Sequence, residues 1–554
     1  TVTARQRDAS LADLAGLPAD AEVAVGVIAP EAVEGELFAR EAQFRFGVAV
    51  DGEVLTGDAE TPAAVVLALG DRPVIAHDAK SLGAVPPNLA HDTLLGAYLL
   101  EPARRGFPFG ELCEERGFAA ASGDEAARDA LLVRELASWQ REQIADRGLE
   151  RIMAEFELPL VGVLRAMEVE GVRLNVERLD GVGRRVRDEV ATLEREVWDL
   201  AGTEFTLGSP QQLGEILFNR LGLSKKRRGK TGFSTDARVL QAIRDEHPII
   251  PRIERWRELN QLVKTYLDVL PSLVDARGRI HTTFLQAVAT TGRLASTNPN
   301  MQNVPVRTEL GREIRGCFEA EEGMVLTSAD YSQVELRILA HVAEEDVLKQ
   351  IFTRGEDVHT ATASQVFEKD AADLTPMDRS KAKMINYGIV YGLSDYGLAD
   401  RLNIPREEAK AFIDAYLARF TEVHAFMTRT IEQATEAGFV STLFGRRRQI
   451  PELRARNYQV RTLGERLAVN TVIQGTAADV MKLAMVRVHR TLQDEGLATR
   501  MILTIHDELL LEGPPEEADA VRALVEREMV APWEDRDPPL GVDVGSGRTW
   551  LDAK

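Results

Sequence analysis

The first 150 residues alternate short apolar runs with stretches of helical period. Four runs have the composition of buried strands, at residues 22–28, 44–50, 64–69 and 73–76. A longer stretch at 124–141 repeats its apolar positions at the spacing of a helix. Strands that alternate with helices are typical of an α/β domain, so we predict one over residues 1–150.

The rest of the chain has two further patterns. Residues 151–275 are strongly helical and charged, with apolar positions at helical spacing around 158–167 and 252–270, which predicts long helices. From residue 276 onward, strands, polar loops and helices are mixed. Two apolar strands here lead straight into acids: residues 324–329 precede Asp330, and residues 501–505 precede His506, Asp507 and Glu508. Apolar residues 509–511 follow, so the second strand is predicted to belong to a hairpin with acids at its tip.

A third segment combines cations and aromatic rings on one predicted helix face. Arg379, Lys383, Tyr387 and Tyr391 recur every four residues, which places them along one side of a helix. A stripe that only packs into a core would be apolar throughout. The compact charge of Lys383 suits a phosphate group, and its ammonium is suited to protonate a departing pyrophosphate.

Composition indicates a soluble protein with more than one core. The chain has 554 residues, of which 44% are hydrophobic and 28% charged. Its two cysteines, Cys113 and Cys317, are too far apart in sequence to indicate a disulfide framework or a metal knuckle, which favours a reducing compartment. Neither a signal peptide nor an apolar run of ~18 residues is present, so we expect a cytoplasmic protein without a membrane partner.

The formal net charge of −21 argues against a nucleic-acid partner, but the cations are clustered. One cluster consists of Lys225, Lys226, Arg227, Arg228 and Lys230, and the other consists of Arg446, Arg447 and Arg448. We predict that both contact phosphates from loops or helix ends; the alternative is a pair of solvated charge runs.

The two acidic strand ends predict phosphoryl transfer if the strands are neighbours. Asp330 and Asp507 would then share two hard cations about 3.5–4 Å apart, one activating the attacking hydroxyl and one holding the triphosphate. Magnesium suits such an oxygen-only site, and manganese is the expected substitute. Taken singly, each aspartate is more often an ordinary turn residue.

Together these three segments resemble the motifs of family A DNA polymerases, specifically the large, Klenow-like fragment of the bacterial enzymes. Motif A corresponds to residues 330–337, motif B to residues 379–392, and motif C to residues 506–508. The resemblance extends over nearly the whole chain, and three motifs in the right order and spacing are far more specific than any one of them.

The resemblance implies a mixed α/β and α+β fold, with an RNase H-like exonuclease-type domain at 1–150 followed by a right-hand polymerase domain at 151–554. The thumb would span 152–275, the palm 276–340 and 475–554, and the fingers 341–474. The implied activity is the template-directed addition of dNTPs to a primer 3′-hydroxyl, with release of pyrophosphate, in DNA replication and repair. The expected protein is monomeric and associated with the bacterial nucleoid. The family's 5′-nuclease domain lies outside this sequence, and whether the native protein has one stays open.

The resemblance also assigns roles to residues of the three motifs. Asp330, Asp507 and the carbonyl of Tyr331 are the expected metal ligands, with Glu508 as a further catalytic carboxylate. Glu335 would exclude a ribose 2′-hydroxyl. The other expected nucleotide-binding residues are Arg379, Lys383 and His359 at the triphosphate, Tyr391 near the templating base, and Tyr387 and Gln333.

Residues 291–303 are similar to a family element that follows the primer and template. Minor-groove acceptors occupy equivalent places in every Watson–Crick pair, so side-chain donors can check pair geometry without reading sequence. The expected DNA contacts, besides the basic loop, are Arg293, Asn300, Gln302, Asn303, Arg466, Asn470, Gln474 and His506.

The first domain departs from the proofreading exonuclease of the family. That chemistry needs an Asp-x-Glu strand and two further aspartates to hold two metals. Val27 and Ala29 occupy the positions of the first two acids, and Leu82 that of a third, although Asp78 leaves another alignment open. Of the expected acids only Asp129 is present, so we predict a folded but inactive exonuclease domain.

Two other functions compete with this interpretation. A single-subunit RNA polymerase would share both metal-binding aspartates, but Glu335 argues against it. A non-catalytic DNA-binding scaffold would not need Asp330, Lys383 and Asp507 together. One departure within the polymerase motifs is Tyr387, which stands where many family members have phenylalanine.

Overall fold

A computed structural model describes residues 2–30, 43–224, 228–229, 232–305 and 308–554, with only the backbone described at 228–229 and 232–233. The chain forms two compact units. The first contains Thr1–Val169, Thr283–Asn298 and Thr327–Gly545, and the second contains Glu170–Thr282, Pro299–Leu326 and Ser546–Lys554. No helix in the described ranges has the length and apolar character that a membrane span requires.

A six-stranded mixed sheet with flanking helices forms the N-terminal part of the first unit. Its strands are β1 (Arg5–Asp8), β2 (Val23–Ile28), β3 (Phe44–Val50), β4 (Glu53–Ala59), β5 (Val74–Ala76) and β6 (Leu89–Asp92). They follow the order β1-β4-β3-β2-β5-β6, in which β3 runs antiparallel to its two neighbours, β4 and β2. The helices are α1 (Leu11–Ala15), α2 (Pro62–Leu69), α3 (Thr93–Leu100), α4 (Phe109–Glu114), α5 (Glu125–Asp146) and, after a π-helical stretch at Ile152–Glu157, α6 (Leu158–Glu170). This part therefore has the α/β class predicted for it.

The prediction of a strand at residues 64–69 is wrong, because these residues belong to α2. Thr61 caps the helix by accepting a hydrogen bond from the Ala64 amide, and Pro62 lies in the first turn. Both are common features of a helix start. A short apolar run has no periodicity that distinguishes a strand from a buried helix. The residues that indicated a helix here were Thr61 and Pro62 at its start.

Helix α5 covers the sheet at a point where two glycines face each other. Gly26 of β2 pairs with Gly47 of β3. A Cβ atom on Gly26 would lie 2.7 Å from the carbonyl oxygen of Ala126 in α5. Only glycine therefore permits the observed distance between helix and sheet.

The second unit is mostly helical. Its elements are β7 (Val172–Arg173), α7 (Val176–Ala201), α8 (Pro210–Gly214), β8 (Arg228–Gly229), β9 (Gly232–Phe233), α9 (Ala237–Ala242), α10 (Ile249–Leu262), β10 (Arg279–Ile280) and α11 (Glu309–Arg315). Helix α7 is 26 residues long and packs on α10, in agreement with the long helices predicted here. The predicted phosphate contacts Lys225, Lys226, Arg227 and Lys230 lie outside the described residues, and the side chain of Arg228 does too.

The remainder of the first unit contains a four-stranded sheet, two separate strand pairs and a set of helices. The strands are β11 (Thr283–Leu285), β12 (Ala295–Thr297), β13 (Val325–Tyr331), β14 (Phe439–Ser441), β15 (Arg447–Gln449), β16 (Arg500–Ile505), β17 (Glu508–Gly513) and β18 (Val542–Gly547). The helices are α12 (Val334–Val342), α13 (Asp346–Thr353), α14 (Val358–Phe367), α15 (Pro376–Val390), α16 (Asp395–Leu402), α17 (Arg406–Arg419), α18 (Thr421–Ala437), α19 (Tyr458–Asp494) and α20 (Ala518–Val530). The two separate pairs are β11-β12 and β14-β15. The sheet order is β16-β17-β13-β18, so β17, the second strand of the hairpin that carries Asp507, lies directly beside β13, which carries Asp330.

Candidate active site

Asp330 and Asp507 meet at one edge of the four-stranded sheet. Asp330 is the penultimate residue of β13, and Asp507 lies in the two-residue turn between β16 and β17. The amide of Tyr331 donates a hydrogen bond to the Asp507 carbonyl, with an N–O distance of 3.1 Å. His506, the other turn residue, has a φ of 54°, the left-handed conformation that a tight hairpin turn requires. The predicted hairpin is therefore observed, and its strand β17 lies beside β13, which meets the condition on which the phosphoryl-transfer hypothesis depends.

Two neighbours of these acids point into the protein. The Glu508 carboxylate is buried and accepts a hydrogen bond from the Ser328 hydroxyl, at 2.7 Å. The Tyr331 hydroxyl donates to the carbonyl of Met529, at 2.5 Å. Burial and the charge of Asp507 raise the pKa of Tyr331 well above its usual value, so this hydroxyl stays protonated.

A chain of polar contacts joins the acidic edge to two other segments. Arg293 Nη2 lies 2.5 Å from Glu335 Oε1 and 3.9 Å from Asp507 Oδ1. The Tyr391 side chain also hydrogen bonds to Glu335. Burial raises the pKa of Glu335, while the positive charge of Arg293 opposes that shift. These four residues, for which the sequence predicted four different roles, thus form one connected group. The roles are DNA contact for Arg293, exclusion of a ribose for Glu335, contact with the templating base for Tyr391 and metal binding for Asp507.

The donor atoms at the acidic edge fit magnesium by their chemistry. Asp330 is half-buried and the Asp507 side chain is 30% exposed, so both carboxylates border solvent. Magnesium prefers oxygen ligands and usually keeps waters or substrate phosphates beside one or two carboxylates. Within the described ranges, no group of three or more His, Cys, Asp or Glu side chains is arranged to hold a metal ion. Two aspartates with a backbone carbonyl are the donors that this edge presents.

Helix α15 carries the predicted triphosphate contacts on its exposed side. Lys383 and Arg379 are both exposed, and Tyr391 lies one residue beyond the helix, as its C-cap. Arg379 is engaged with Asp357: its Nε and Nη2 atoms lie 3.1 and 2.7 Å from the two carboxylate oxygens. Although burial acts to raise the pKa of Asp357, hydrogen bonds from Arg379 and Thr360 hold it below its usual range.

His359 lies beside α15 in a buried environment. Burial lowers its pKa to about 4, with the charges of Lys383 and Arg379 acting in the same direction, so the ring is neutral at pH 7. Its Nδ1 atom lies 3.1 Å from the amide nitrogen of Asn386. An amide nitrogen can only donate, so this contact leaves the ring hydrogen on Nε2. The sequence analysis missed Asn386, although it lies within motif B.

The rings of this region form a continuous group. The Tyr387 ring centroid is 5.7 Å from that of His359 and 6.2 Å from that of Tyr391, and the two tyrosine rings are nearly parallel at 19°. Gln333, at the start of α12, is half-buried with a φ of 54°.

Helix α19 presents polar atoms that have no protein partner among the described residues. Arg466 Nε and Asn470 Oδ1 are buried in this way, whereas the Asn470 amide donates to the Tyr391 carbonyl at 3.0 Å. Gln474 is half-buried one turn further along, and His506 on the hairpin is exposed. Three of the predicted DNA contacts therefore share one face of α19, next to Tyr391.

The other predicted DNA contacts belong to the second compact unit. Asn300, Gln302 and Asn303 lie at or in a short 3₁₀ helix, Met301–Asn303. The Asn300 side chain caps this helix by accepting a hydrogen bond from the Gln302 amide at 3.0 Å. Asn303 is exposed.

In the exonuclease-like region, Val27 packs against the apolar cluster of the sheet, and Leu82 is buried. Asp78 borders a cavity of about 200 Å³ together with Lys80 and Asp92. The Asp92 carboxylate accepts hydrogen bonds from several backbone amides, including that of Ala79 at 2.7 Å and that of Leu94 at 2.9 Å. Asp92 is therefore occupied in holding the local backbone.

The prediction that Arg446 contacts phosphates is wrong, because its guanidinium is buried in an ion cluster. Its side chain is 6% exposed, with Nη2 lying 2.5 Å from Glu157 Oε1 and Nε lying 2.7 Å from Asp479 Oδ1. The next two arginines are also engaged within the protein: Arg447 stacks on Phe439, and Arg448 donates to Thr471. Three adjacent arginines predict side chains that are exposed to solvent. The buried partners of Arg446, Glu157 and Asp479, are distant in sequence, so nothing in the sequence indicated them.

Comparisons with known proteins agree with this geometry. The profile of DNA polymerase family A matches residues 176–552. DNA polymerase I of Geobacillus stearothermophilus is 41% identical over 485 residues, and the thermostable DNA polymerase I of Thermus thermophilus is 46% identical over 469 residues. Each match covers 84% of this chain and 55% of the relative, so the chain spans about half the length of these relatives.

A solved structure matches over the full length of both chains. It is described as the POL domain of Pol1 from M. smegmatis in complex with DNA primer-template and dNTP, with a TM-score of 0.90 and 35% identity. Family A DNA polymerases generally use divalent metal ions. The profile match covers more than half of the sequence, and the fold agrees with that of the solved polymerase domain. The chain therefore belongs to DNA polymerase family A.

Proposed function

We propose that this chain is a template-directed DNA polymerase that extends a primer 3′-hydroxyl with dNTPs and releases pyrophosphate, in bacterial DNA replication and repair. The observation that carries the proposal is the meeting of Asp330 and Asp507 at one sheet edge, where Asp507 lies 3.9 Å from Arg293, the partner of Glu335. The full-length match to a polymerase domain described with DNA primer-template and dNTP supports the same substrates.

Asp330, Asp507 and the Tyr331 carbonyl would hold two magnesium ions. When bound, such a pair stabilises the attacking and leaving oxygens of phosphoryl transfer. The chain's part is to keep two carboxylates together at a site open to solvent. Arg293 contributes by pairing with Glu335, so the buried carboxylate of Glu335 adds no further uncompensated charge beside Asp507.

The incoming triphosphate would bind along α15. Lys383 is exposed there, and neutral His359 would donate its ring hydrogen on Nε2 to a phosphate oxygen. Arg379 would exchange Asp357 for phosphate oxygens to direct its Nε and Nη2 donors at the triphosphate. Closure of the segment at 341–474, the proposed fingers, would drive that exchange.

Duplex DNA would contact α19 and the segment that carries Arg293. Arg466 and Asn470 present polar atoms without a protein partner among the described residues, which suits them to donate to or accept from a nucleic acid. These contacts do not depend on base identity, so binding is expected to be independent of sequence and to weaken with salt.

Primer extension tests the proposal directly. A labelled primer-template is incubated with the protein, with and without magnesium, and with either dNTPs or rNTPs. We expect templated extension only with magnesium and dNTPs. Preferred use of rNTPs would instead support a single-subunit RNA polymerase, and binding without extension would support a non-catalytic scaffold.

Tyr387 is expected to weaken discrimination against dideoxynucleotides, because its hydroxyl can replace the missing sugar 3′-hydroxyl. A hydrogen bond to a charged group contributes about 1.5–3 kcal/mol, so Tyr387→Phe should increase the preference for dNTPs over ddNTPs by about 10- to 100-fold. The ratio of kcat/KM for the two substrates measures this effect. A strong preference in the wild type that Tyr387→Phe leaves unchanged would contradict the prediction.

We also propose that the exonuclease-like region is inactive. Val27, Ala29 and Leu82 cannot bind magnesium, so a mismatched primer should keep its length when incubated with pure protein and magnesium but without nucleotides. A parallel reaction with pyrophosphate controls for reversal of the polymerase reaction, which also shortens primers. Metal-dependent shortening without pyrophosphate, at equal rates in wild type and Asp507→Asn, would refute the proposal.

A further inference from the structure

Arg293 lies at the end of a connection with little regular structure of its own. Strands β11 and β12 pair antiparallel, from Thr283↔Thr297 to Leu285↔Ala295. The intervening residues 286–294 form no strand or helix. The Arg293 side chain is nevertheless held on Glu335, so other parts of the protein must fix this connection.

The N-terminal part of the first unit contacts both strand β11 and the connection that follows it. Lys80 donates to the Phe284 carbonyl and pairs with Glu168, and Glu168 accepts from the Phe284 amide at 2.7 Å. The Tyr98 hydroxyl, on α3, donates to the Ala289 carbonyl at 2.6 Å. Each bond fixes a backbone group of the segment that leads to Arg293.

The buried ion cluster supports the same segment. It consists of Arg446, Glu157, Asp479 and Lys482, all of whose side chains are at most 6% exposed. Gln286 donates to Glu157 Oε2 at 2.9 Å, which ties the start of the connection to the cluster.

Gly292, directly before Arg293, rests on this cluster. Its φ is 86°, and a Cβ there would lie 2.8 Å from Arg446 Nε. The backbone of the turn therefore lies against the guanidinium with no room for a side chain. Because Arg446 is fixed by two directed bonds to separate acids, it forms a rigid support for the turn.

We propose that Tyr98 and Arg446 are positioning residues for DNA synthesis, which fix the turn at 289–292 and thereby hold the Arg293 guanidinium against Glu335 and near Asp507. This inference rests on the proposed polymerase function. It gives the exonuclease-like region a task in polymerisation that needs none of the acids of a nuclease.

Tyr98→Phe tests the inference with the smallest change of shape. Removing a neutral hydrogen bond should lower kcat for extension of a matched primer about threefold to tenfold. The KM for dNTP should stay near the wild-type value, because Arg379, Lys383 and His359 lie on other elements. Tyr416→Phe is the matched control: the Tyr416 hydroxyl is buried without a hydrogen-bond partner among the described residues, and its loss should leave kcat unchanged.

A double-mutant cycle separates positioning from general destabilisation. If Tyr98 acts through Arg293, then Tyr98→Phe should have little further effect on kcat in an Arg293→Ala background. Arg446→Lys, which keeps the charge but cannot reproduce the two directed bonds, should show the same dependence on Arg293 with a larger loss of kcat. Thermal unfolding of each variant identifies any loss of folded protein.

The outcomes distinguish this inference from the proposed function. A wild-type protein that fails to extend a matched primer would refute the polymerase proposal itself. If the wild type extends the primer, then an unchanged kcat in Tyr98→Phe, or effects that simply add to that of Arg293→Ala, would overturn the positioning role alone.

Discussion

Asp507→Asn is expected to reduce magnesium-dependent primer extension by about a thousandfold or more. The substitution keeps the shape of the side chain but removes the charge of one of the two proposed metal ligands at the sheet edge. Stabilisation of charge by bound metals contributes several kcal/mol to such reactions, and each 1.4 kcal/mol is a factor of about ten in rate. Asp330→Asn should have an effect of similar size.

Single-turnover extension with saturating dNTP measures this loss, and fluorescence anisotropy checks that primer-template binding persists. Asp519→Asn offers a matched control, since Asp519 is exposed on α20 away from the acidic edge. Full synthesis by either Asp330→Asn or Asp507→Asn, with the control unchanged, would remove the basis of the proposed mechanism.

Glu157→Gln is expected to destabilise the first compact unit by about 3–5 kcal/mol, because it breaks a buried ion cluster by removing one partner. Glu157 is 0% exposed and pairs with both Arg446 and Lys482 at 2.5 and 2.7 Å. With glutamine in its place, Asp479 alone would face two buried cations. The midpoint of urea unfolding, followed by tryptophan fluorescence, reports the change.

Glu155→Gln is the matched control for that experiment. Glu155 lies two residues earlier in the same π-helical stretch, but its side chain is 52% exposed and pairs with Arg151 on the surface. Surface pairs of this kind contribute about 0–1 kcal/mol. Equal effects of the two substitutions would show that the buried cluster has no special weight in stability.

The same carboxylate predicts a dependence of stability on acid. Burial acts to raise the pKa of Glu157, but the charges of Lys482 and Arg446 outweigh it and lower the pKa from 4.5 to about 2. The unfolded chain thus binds a proton more readily than the folded one. The stabilisation is complete above about pH 4.5 and is lost as the pH falls towards about 2, a loss that should be smaller in Glu157→Gln.

The strands and helices that carry the chemistry could be predicted where the sequence has a clear period or a polar break. The strand before Asp330 and the hairpin around Asp507 were predicted within two residues of their observed ends. The helix that carries Arg379 and Lys383 was also predicted, although Tyr391 lies at its cap. By contrast, the run at 64–69 was assigned to a strand, because eight mostly apolar residues of α2 offer no amphipathic pattern.

The sequence by itself determined the family, the acidic strand ends and the helix face that carries Arg379 and Lys383, because each of these depends on residues that lie close together along the chain. Only the tertiary structure revealed that Arg446 is buried on Glu157 and Asp479, that Asp357 holds Arg379, and that Asn386 orients His359. The physical reason is that burial and charge pairing depend on residues separated by up to several hundred positions. A run of cationic residues predicts exposed side chains, and only the folded chain shows that buried acids lie against one of them.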